Sequence, residues 1–466
     1  MFLAFAIASA ALSPSDFEIK SLPGLAKPPK FKQYSGLLPI NDGHGTELFF
    51  WFVESALIPE TDPVVFWTNG GPGASSVAFG FWTEHGPFRL ENGTGGINPV
   101  HYDYSWNRIA NVLYVEMPSG VGFSQSTDPK KYSNITDVHA AGDTYAFLKA
   151  FLGVFSKFQS NDLWITGESY GGHYVPMISK AILDGGGAIA KQMKGFLIGN
   201  PGINSDWYFN VNEFAYLTYM WSHGFIPAPA YVKAKDACGW DEIYTNCSKD
   251  FTHPSAECHA AAQAALKYVP SPLDPYDVLA PTCAEGAAEA DATVMRDQPF
   301  LRRLRETHGA ENTPTYNPCL SQLTPQYMNR PDVLDAIHVP KAKRTGRWPS
   351  TPRGWHYNQG VEGEKKDIAL LFPEFFAKAP HWRIAIVSGT ADSAVPFLGT
   401  ERWMECLKQE VVEDQKPWKL HHDVAGMVKR WKPNLSLVTV KGCGHTIPYS
   451  CPEKGFAFFE NFLSEA

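Results

Sequence analysis

The most constraining stretch of this 466-residue sequence is Leu163-Trp164-Ile165-Thr166-Gly167-Glu168-Ser169-Tyr170-Gly171-Gly172. Its first four residues are apolar or β-branched and predict a buried strand, while the glycines around Ser169 predict a sharp turn into a helix. We expect a side chain at Gly167 or Gly171 to clash in that turn. The strained turn exposes Ser169 and directs the Tyr170 N–H toward an anion formed beside it. Ser169 is therefore the candidate covalent nucleophile.

Short runs rich in β-branched and aromatic residues recur on both sides of this stretch. They predict strands at residues 48–53, 64–67, 112–115, 163–166, 196–198, 384–387 and 437–440. Several are continuous apolar runs, as expected for parallel strands covered by helices on both faces. Helix-compatible segments at 137–158 and 452–463 complete the pattern. We predict an α/β-hydrolase fold with a doubly wound, mostly parallel sheet.

The strand rhythm stops between residues 204 and 326, where Pro, Ala, Cys and charged residues dominate. Because open α/β sheets bind ligands outside the carboxyl ends of their strands, we expect this segment to form a helical cap there. The predicted units are a first core part at 18–203, the cap insertion at 204–326 and a second core part at 327–466.

Residues 1–12 form an apolar run that is too short to span a bilayer and that contains small residues near its end. The run predicts a signal peptide whose positively charged start is missing; a buried N-terminal segment is the alternative. Four Asn-x-Ser/Thr sequons would be glycosylation sites in a secretory protein. They lie at Asn92, Asn134, Asn246 and Asn434.

The composition limits the classes of molecule that this chain could bind. The chain is 44% hydrophobic, 14% aromatic and 19% charged, which is typical of a well-packed globular enzyme. Its formal net charge of −8 and the absence of a concentrated basic segment argue against nucleic acid or anionic membrane. No second apolar run is long enough to span a membrane.

A serine nucleophile needs a base, which is itself oriented by an acid, and in α/β-hydrolases the chain order is Ser, Asp or Glu, then His. The strand at 384–387 runs into a loop that carries Asp392, and the strand at 437–440 runs into a loop that carries His445. Both side chains follow strands in the required order, so we predict a triad of Ser169, Asp392 and His445.

A second glycine-rich turn, Asn69-Gly70-Gly71-Pro72-Gly73-Ala74, follows the strand at 64–67. Glycines let backbone amides approach a bound anion closely, so the Gly71 N–H is a natural second oxyanion donor beside Tyr170. A nucleotide-phosphate loop is the alternative, but the glycine spacing fits neither phosphate motif and no Lys-Ser/Thr pair follows.

Five of the eight cysteines cluster in the predicted cap, which suggests disulfides that staple a loop-rich insertion. They are Cys238, Cys247, Cys258, Cys283 and Cys319. A zinc site is the competing interpretation, yet no Cys-x-x-Cys pair or paired histidines accompany them. We predict no metal and no organic cofactor.

These motifs together resemble the serine carboxypeptidase family, and the likeness covers nearly the whole chain from Leu22 onward. The further matching stretches are Leu22-Pro23-Gly24-Leu25, Gln33-Tyr34-Ser35-Gly36, Trp51-Phe52-Val53-Glu54-Ser55, Thr83-Glu84-His85-Gly86-Pro87-Phe88, Tyr104-Ser105-Trp106-Asn107, Asn111-Val112-Leu113-Tyr114-Val115-Glu116 and Gly120-Val121-Gly122-Phe123-Ser124.

The resemblance implies roles for these residues. Ser169, Asp392 and His445 would be the triad, with Gly71 and Tyr170 forming the oxyanion hole. The free C-terminal carboxylate of a peptide would be recognised by Asn69, Glu168 and the Gly70 amide, in a network completed by Trp67 and Glu84. A carboxylate that approaches two glutamates meets like charges unless a proton is shared, so we expect one glutamate pKa to be raised and binding to favour acidic pH.

The sequence also departs from the family pattern. The resemblance implies a cysteine where this chain has Ala74, with a partner near residues 355–358, and both are absent together, which suggests a substituted packing arrangement. Thr390 replaces the first aspartate of the usual loop before Asp392. Thr446 replaces a methionine that helps to shape the leaving-residue pocket, so a preference for an apolar last residue does not follow.

For the cysteines, the resemblance implies a Cys283–Cys319 disulfide and leaves the partners of Cys238, Cys247 and Cys258 uncertain. Cys406, Cys443 and Cys451 are unusual for the family, and their pairing stays open. Cys443, two residues before His445, is predicted to be a small packed residue, with a thiol-sensitive active site as the alternative.

The sequence therefore predicts a glycosylated, acid-active serine carboxypeptidase of the secretory pathway, either lysosomal or vacuolar or extracellular. Its expected partners are peptide or protein C-termini, and a homodimer is compatible with the resemblance. Acyltransferases and hydroxynitrile lyases that share this resemblance use the same triad, so both activities stay open as alternatives. A protective or scaffold protein with residual peptidase activity is the alternative from another class.

Overall fold

The computed structural model describes residues 12–93, 95–203, 211–242, 247, 255–271, 273–283, 319–358 and 368–464. The predicted signal peptide therefore lies outside the described residues except for Leu12, and so does the sequon at Asn246.

Strands and helices alternate along most of the described chain. The strands are β1 (Gln33–Pro39), β2 (Glu47–Val53), β3 (Val64–Thr68), β4 (Phe88–Gly93), β5 (Gly96–His101), β6 (Asn111–Val115), β7 (Ile135–Thr136), β8 (Leu163–Glu168), β9 (Met193–Gly199), β10 (Tyr357–Asn358), β11 (Arg383–Gly389), β12 (Val411–Leu420), β13 (Asp423–Trp431) and β14 (Leu435–Val440). The α-helices are α1 (Lys130–Ser133), α2 (Asp137–Val154), α3 (Gly171–Gly185), α4 (Gly187–Gln192), α5 (Val211–Ser222), α6 (Ala228–Cys238), α7 (Ala256–Leu266), α8 (Leu320–Met328), α9 (Pro331–Ala336), α10 (Phe372–Lys378), α11 (Phe397–Cys406), α12 (Ile447–Ser450) and α13 (Pro452–Ser464), and a π-helix spans Val77–His85.

Ten strands form one sheet in the order β1-β2-β6-β3-β8-β9-β11-β14-β13-β12. The six central strands, from β6 to β14 in that order, pair in parallel, whereas β1 and β2 on one side and β13 and β12 on the other pair antiparallel. Parallel central strands place the loops after β3, β8, β9, β11 and β14 at one edge of the sheet.

Successive side chains of one strand point to opposite faces of this sheet, and both faces are covered. In β2, Phe50 and Phe52 belong to one buried hydrophobic cluster, while Phe49, Trp51 and Val53 belong to the other. Residues of α2 and α3 pack in the first cluster, and residues of the π-helix, α8 and α13 pack in the second. The arrangement is an α/β-hydrolase fold, which confirms the predicted fold class.

The predicted strands all lie inside observed ones, and the helix-compatible segments coincide with α2 and α13 to within a few residues. The antiparallel hairpin of β12 and β13 was not predicted. Strand β12 is largely exposed and mixes charged with apolar residues, so it lacks the apolar run that marks a buried strand.

Helices α5, α6 and α7 form a separate hydrophobic cluster in the segment predicted as the cap. The boundary predicted at residue 326 falls inside α8. The buried side chains of α8, among them Leu320, Leu323 and Tyr327, pack in the second core cluster because they share one helix face. Helix α8 is therefore part of the core packing.

Candidate active site

Ser169 lies in the turn between β8 and α3, with a φ of 60° in the left-handed region that non-glycine residues rarely adopt. The turn is held from outside, because Ser169 N donates to Gly199 O and Gly202 N donates to Ser169 O, each at 2.9 Å. The side chain of Ser169 is half-buried. This is the strained strand-to-helix turn that the sequence predicts.

The structure shows which glycines of the turn have no room for a side chain. A Cβ at Gly167 would lie 2.6 Å from Thr68 O, and one at Gly172 would lie 2.2 Å from Gly202 O. At Gly171 the nearest atom would be 3.7 Å away, which is an ordinary contact. The expected clash at Gly171 is wrong, because it is Gly172 that faces the neighbouring backbone.

His445 and Asp392 are both buried and lie in the loops after β14 and β11. Nδ1 of His445 is 2.7 Å from Oδ2 of Asp392, so the imidazole donates this proton to the carboxylate. Nε2 of His445 accepts no hydrogen bond from any described residue. This tautomer orients the ring and leaves Nε2 able to act as a base.

Asp392 accepts three further hydrogen bonds. Asn200 Nδ2 donates to Oδ2 at 2.6 Å, and the backbone N–H groups of Ala394 and Val395 donate to Oδ1 at 2.8 and 3.1 Å. Sequence reasoning missed Asn200, which has a φ of 43° directly after β9. Its place at the end of a predicted strand was the signal that could have found it.

A short cap segment, residues 275–278, joins the two loops that carry the acid and the base. His445 N donates to Tyr276 O at 2.7 Å, and Val278 N donates to Ala391 O at 3.0 Å. Pro275 O accepts from Ser393 N, Ser393 Oγ and Ala394 N at 2.8–2.9 Å. The cap therefore contributes to the placement of Asp392 and His445, although nothing in residues 275–278 marks them as part of a site.

The glycine-rich turn after β3 packs directly against the turn at Ser169. A Cβ at Gly70 would lie 2.3 Å from Tyr170 N and 2.8 Å from the Cβ of Ser169. Gly71 has a φ of 107°, and a Cβ there would lie 2.7 Å from Ala74 N. Only glycine permits this approach, so the two predicted oxyanion donors, Gly71 and Tyr170, are carried by backbone segments in close contact.

Beside this turn, three polar side chains form a buried network. Asn69 Nδ2 donates to Glu84 Oε1 at 2.8 Å and to Glu168 Oε1 at 2.7 Å. Trp67 Nε1 and Gly80 N donate to Asn69 Oδ1 at 2.8 and 3.0 Å, which fixes the orientation of the amide. The four side chains predicted for recognition of a C-terminal carboxylate, Asn69, Glu168, Glu84 and Trp67, are therefore brought together next to Ser169.

Burial governs the electrostatics of this pair of acids. Burial raises the pKa of Glu84 to about 7, against the hydrogen bond from Asn69 that lowers it. Burial, followed by the charge of Glu84, raises the pKa of Glu168 well above its ordinary value of 4.5. Near neutral pH and below, the pair holds a proton, as expected for two carboxyl groups that share one amide.

Thr446 is half-buried and is the N-cap residue of α12, directly after His445. Its carbonyl oxygen accepts from Tyr449 N and Ser450 N at 3.0 Å. The residue that replaces the family methionine is thus at the start of a short helix beside the base.

Aromatic packing covers the glycine-rich turn that carries Ala74. A Cβ at Gly73, next to Ala74, would lie 2.6 Å from the indole of Trp355. Trp355 therefore lies over the glycine-rich turn in the region where the resemblance implies a disulfide partner.

All eight cysteines are paired. The four disulfides are Cys238–Cys258, Cys247–Cys406, Cys283–Cys319 and Cys443–Cys451. Cys283–Cys319 is the pair that the resemblance implies, and Cys247–Cys406 ties the cap to α11. A free thiol at Cys443 is wrong, because the loop of His445 and α12 turns the chain back and brings Cys451 beside it.

Among the described residues, no group of three or more His, Cys, Asp or Glu side chains could hold a metal ion. No helix in this part of the chain is both long and apolar enough to cross a membrane.

A family model described as serine carboxypeptidase matches residues 23–465. Two Arabidopsis thaliana proteins are similar over nearly the whole chain. Serine carboxypeptidase-like 29 is 32% identical over 99% of this chain and 92% of its own length. Serine carboxypeptidase 24 is 33% identical over 96% of this chain and 91% of its own length.

A solved structure has the same architecture. Kex1(ΔP) from Saccharomyces cerevisiae, described as a prohormone-processing carboxypeptidase, has a TM-score of 0.70 and covers 97% of this chain and 96% of its own. Its sequence is 19% identical, so this likeness supports the fold alone.

Proposed function

Since this chain belongs to the serine carboxypeptidase family, we propose that it releases C-terminal amino acids from peptides at acidic pH through an acyl-enzyme on Ser169. The observation that carries the proposal is Asn69, whose amide bridges the buried carboxyl groups of Glu84 and Glu168 beside the nucleophile. A buried, proton-sharing acid pair suits the binding of a free carboxylate, which the C-terminus of a peptide carries and an ester substrate does not require.

In the proposed mechanism, Nε2 of His445 takes the proton of Ser169 as Oγ attacks the last peptide carbonyl carbon. Asp392 holds the resulting imidazolium through Nδ1, and the N–H groups of Gly71 and Tyr170 stabilise the oxyanion. His445 then gives the proton to the departing amino group. Water, deprotonated by the same nitrogen, resolves the acyl-enzyme.

The acid pair supplies the recognition of the C-terminus. While the pair holds its proton, Glu168, Asn69 and the Gly70 amide can donate to the substrate carboxylate. When the proton leaves, two carboxylates face a third, so peptide affinity falls. Because burial and the charge of Glu84 raise the pKa of Glu168 well above its ordinary value, we expect peptide KM to rise once the pH exceeds the pKa of Glu168.

Disulfides and sequons support a compartment in the secretory pathway, lysosomal, vacuolar or extracellular. Asn92, Asn134 and Asn434 are exposed, as glycan acceptors must be. The mechanism uses only side chains and backbone of this chain, with peptide C-termini as partners.

The test is mass spectrometry of a mixed peptide library incubated between pH 4 and pH 8, with a Ser169→Ala variant in parallel. We expect loss of single C-terminal residues, strongest at acidic pH and absent with the variant. Trimming by Ser169→Ala would exclude Ser169 as the nucleophile. No trimming, together with acyl transfer from an ester to an added alcohol, would instead identify an acyltransferase.

A further inference from the structure

The segment of residues 355–357, which we call the clamp segment, runs beside the glycine-rich turn and the start of α2. Tyr357 begins the short strand β10, which pairs in parallel with Ile135 in β7. Ile135 N donates to His356 O at 3.2 Å, and His356 N donates to Tyr132 O at 2.7 Å. These backbone bonds place the two aromatic side chains of the segment next to Gly73 and Asp137.

Trp355 contacts the turn that carries Gly71. Its indole fills the space over Gly73, where a Cβ would lie 2.6 Å from the ring, and over Gly120, where the distance would be 2.7 Å. The indole N–H donates to Ser119 O at 3.1 Å, which holds the ring in place. Gly73 is two residues from Gly71, so the indole limits the movement of the first oxyanion donor.

Tyr357 is linked to the second donor, Tyr170, through Asp137. The hydroxyl groups of Tyr357 and Tyr170 both donate to Asp137 Oδ1, at 2.6 and 3.0 Å. Nδ1 of His173 lies 3.0 Å from Asp137 Oδ2, and the His173 ring stacks on that of Tyr170 with centroids 4.3 Å apart. Asp137, Tyr170 and His173 are all buried, and Tyr357 is half-buried beside them.

We propose that Trp355 and Tyr357 are positioning residues that hold the two oxyanion donors, Gly71 and Tyr170, at their working separation. The inference rests on the proposed function, because it needs Ser169 to form an acyl-enzyme. The donors belong to different elements, the turn after β3 and the N-terminus of α3. The clamp segment contacts both, through Trp355 on one side and Tyr357 with Asp137 on the other.

Position matters here because donors stabilise an oxyanion only when they are aimed before the charge develops. Loss of one donor lowers kcat by about 10²–10³-fold, and displacement of a donor has a smaller effect in the same direction. The clamp variants should therefore lower kcat and leave KM for the ground-state substrate nearly unchanged.

The experiment compares kcat/KM on two substrates, the ethyl ester and the ethyl thionoester of one N-blocked phenylalanine, for wild type, Tyr357→Phe, Trp355→Ala and Trp355→Phe. A thionoester develops its charge on sulfur, which gains little from the hole. We expect the ester rate to fall about 10-fold for Tyr357→Phe and about 50-fold for Trp355→Ala, with the thionoester rate changing by less than about threefold. Trp355→Phe, which keeps an aromatic ring over Gly73, should recover most of the loss.

The matched control is Tyr34→Phe. Tyr34 is buried in the edge strand β1 and donates to Glu54 Oε1 at 2.7 Å, so the variant also loses a tyrosine–carboxylate bond. We expect its ratio of ester to thionoester rates to equal that of wild type. Urea unfolding of every variant distinguishes a loss of folded protein from a loss of rate. If Trp355→Ala does not fold, the comparison of Tyr357→Phe with wild type tests the proposal.

The proposal would be overturned if the clamp variants lost equal rates on the ester and the thionoester. It would also be overturned if the ratio of ester to thionoester rates changed only in Tyr34→Phe. Release of the C-terminal residue from a blocked dipeptide is measured on the same preparations. A wild type that cleaves the ester but releases no amino acid contradicts the proposed function, while an unchanged rate ratio in an active peptidase contradicts only the clamp.

Discussion

Asp392 and Glu168 are two buried acids at the same edge of the sheet, and their surroundings are opposite. Asp392 accepts four hydrogen bonds, all from N–H groups, among the described residues. Glu168 shares one amide donor with Glu84, and the pKa of both glutamates is raised. Asp392 therefore has the N–H donors that fix an acid which orients a base, whereas Glu168 lies beside a second carboxyl group.

A third buried acid, Glu116, separates the effect of burial from that of a second acid. It accepts from Ser75 Oγ, Phe123 N and Trp348 Nε1 at 2.5–2.9 Å. Burial nevertheless raises the pKa of Glu116 to about 7, because three donors do not offset its complete removal from water. The three acids give a graded set of experiments.

The largest effect is expected from Asp392→Asn. The amide would present an NH2 group to donors and would favour the wrong tautomer of His445, so we expect kcat to fall about 10⁴-fold with little change in KM. Steady-state kinetics on a blocked dipeptide near pH 5 measure both values. The same carboxyl-to-amide change at Glu168 is the control, and an unchanged kcat in Asp392→Asn would remove the distinction between the two acids.

The next effect is on stability and concerns Glu116. Its pKa of about 7 exceeds the ordinary 4.5, so the folded protein keeps a proton that the unfolded chain releases between these values. The free energy of unfolding should therefore fall by roughly 3 kcal/mol as the pH rises from 4.5 to 7 on account of this group. Urea unfolding at pH 4.5 and pH 7.5 should show a smaller difference for Glu116→Gln than for wild type.

Glu84 acts in the same direction, so part of the pH dependence will remain in that variant. A Glu116→Gln protein that keeps the full wild-type difference would show that Glu116 is not the group that binds the proton.

The variant Glu168→Gln tests whether the proton shared by Glu84 and Glu168 controls peptide binding. In wild type, peptide KM should rise about tenfold per pH unit once the pH exceeds the pKa of Glu168, which burial and the charge of Glu84 raise well above its ordinary value. The amide of Glu168→Gln donates at every pH, so its KM should stay nearly flat and match wild type near pH 5. An ester substrate without a free carboxylate is the control, since its KM should not depend on this ionisation; parallel KM profiles of variant and wild type on peptides would contradict the proposal.

The smallest effect is expected at Asn200. Asn200→Gly removes the 2.6 Å bond to Asp392 while glycine accepts the φ of 43° without strain. One lost hydrogen bond in a set of four should lower kcat about fivefold, which kinetics near pH 5 can resolve. A loss as large as that of Asp392→Asn would mean that the set acts as one unit.

Much of this architecture could be predicted from local sequence. The strands at 64–68, 163–168, 383–389 and 435–440 are apolar runs that end in glycine or polar residues, so the loops of Asn69, Ser169, Asp392 and His445 could be placed at strand ends. The hairpin of β12 and β13 was not predicted, since β12 is largely exposed and carries no continuous apolar run. Asn200 and residues 275–278 were missed because their role rests on hydrogen bonds to residues more than a hundred positions away.

The cysteines also show the difference between what local sequence predicts and what the tertiary structure specifies. Their number and clustering indicated stapling, but three of the four pairings were open until the folded chain brought partners together. Periodicity and glycine spacing act over a few residues, and that range was enough for the fold class and for the order of Ser169, Asp392 and His445. The Asn69 bridge, the pKa of Glu84 and the packing of Trp355 on Gly73 depend on distances between segments far apart in sequence, which only the tertiary structure specifies.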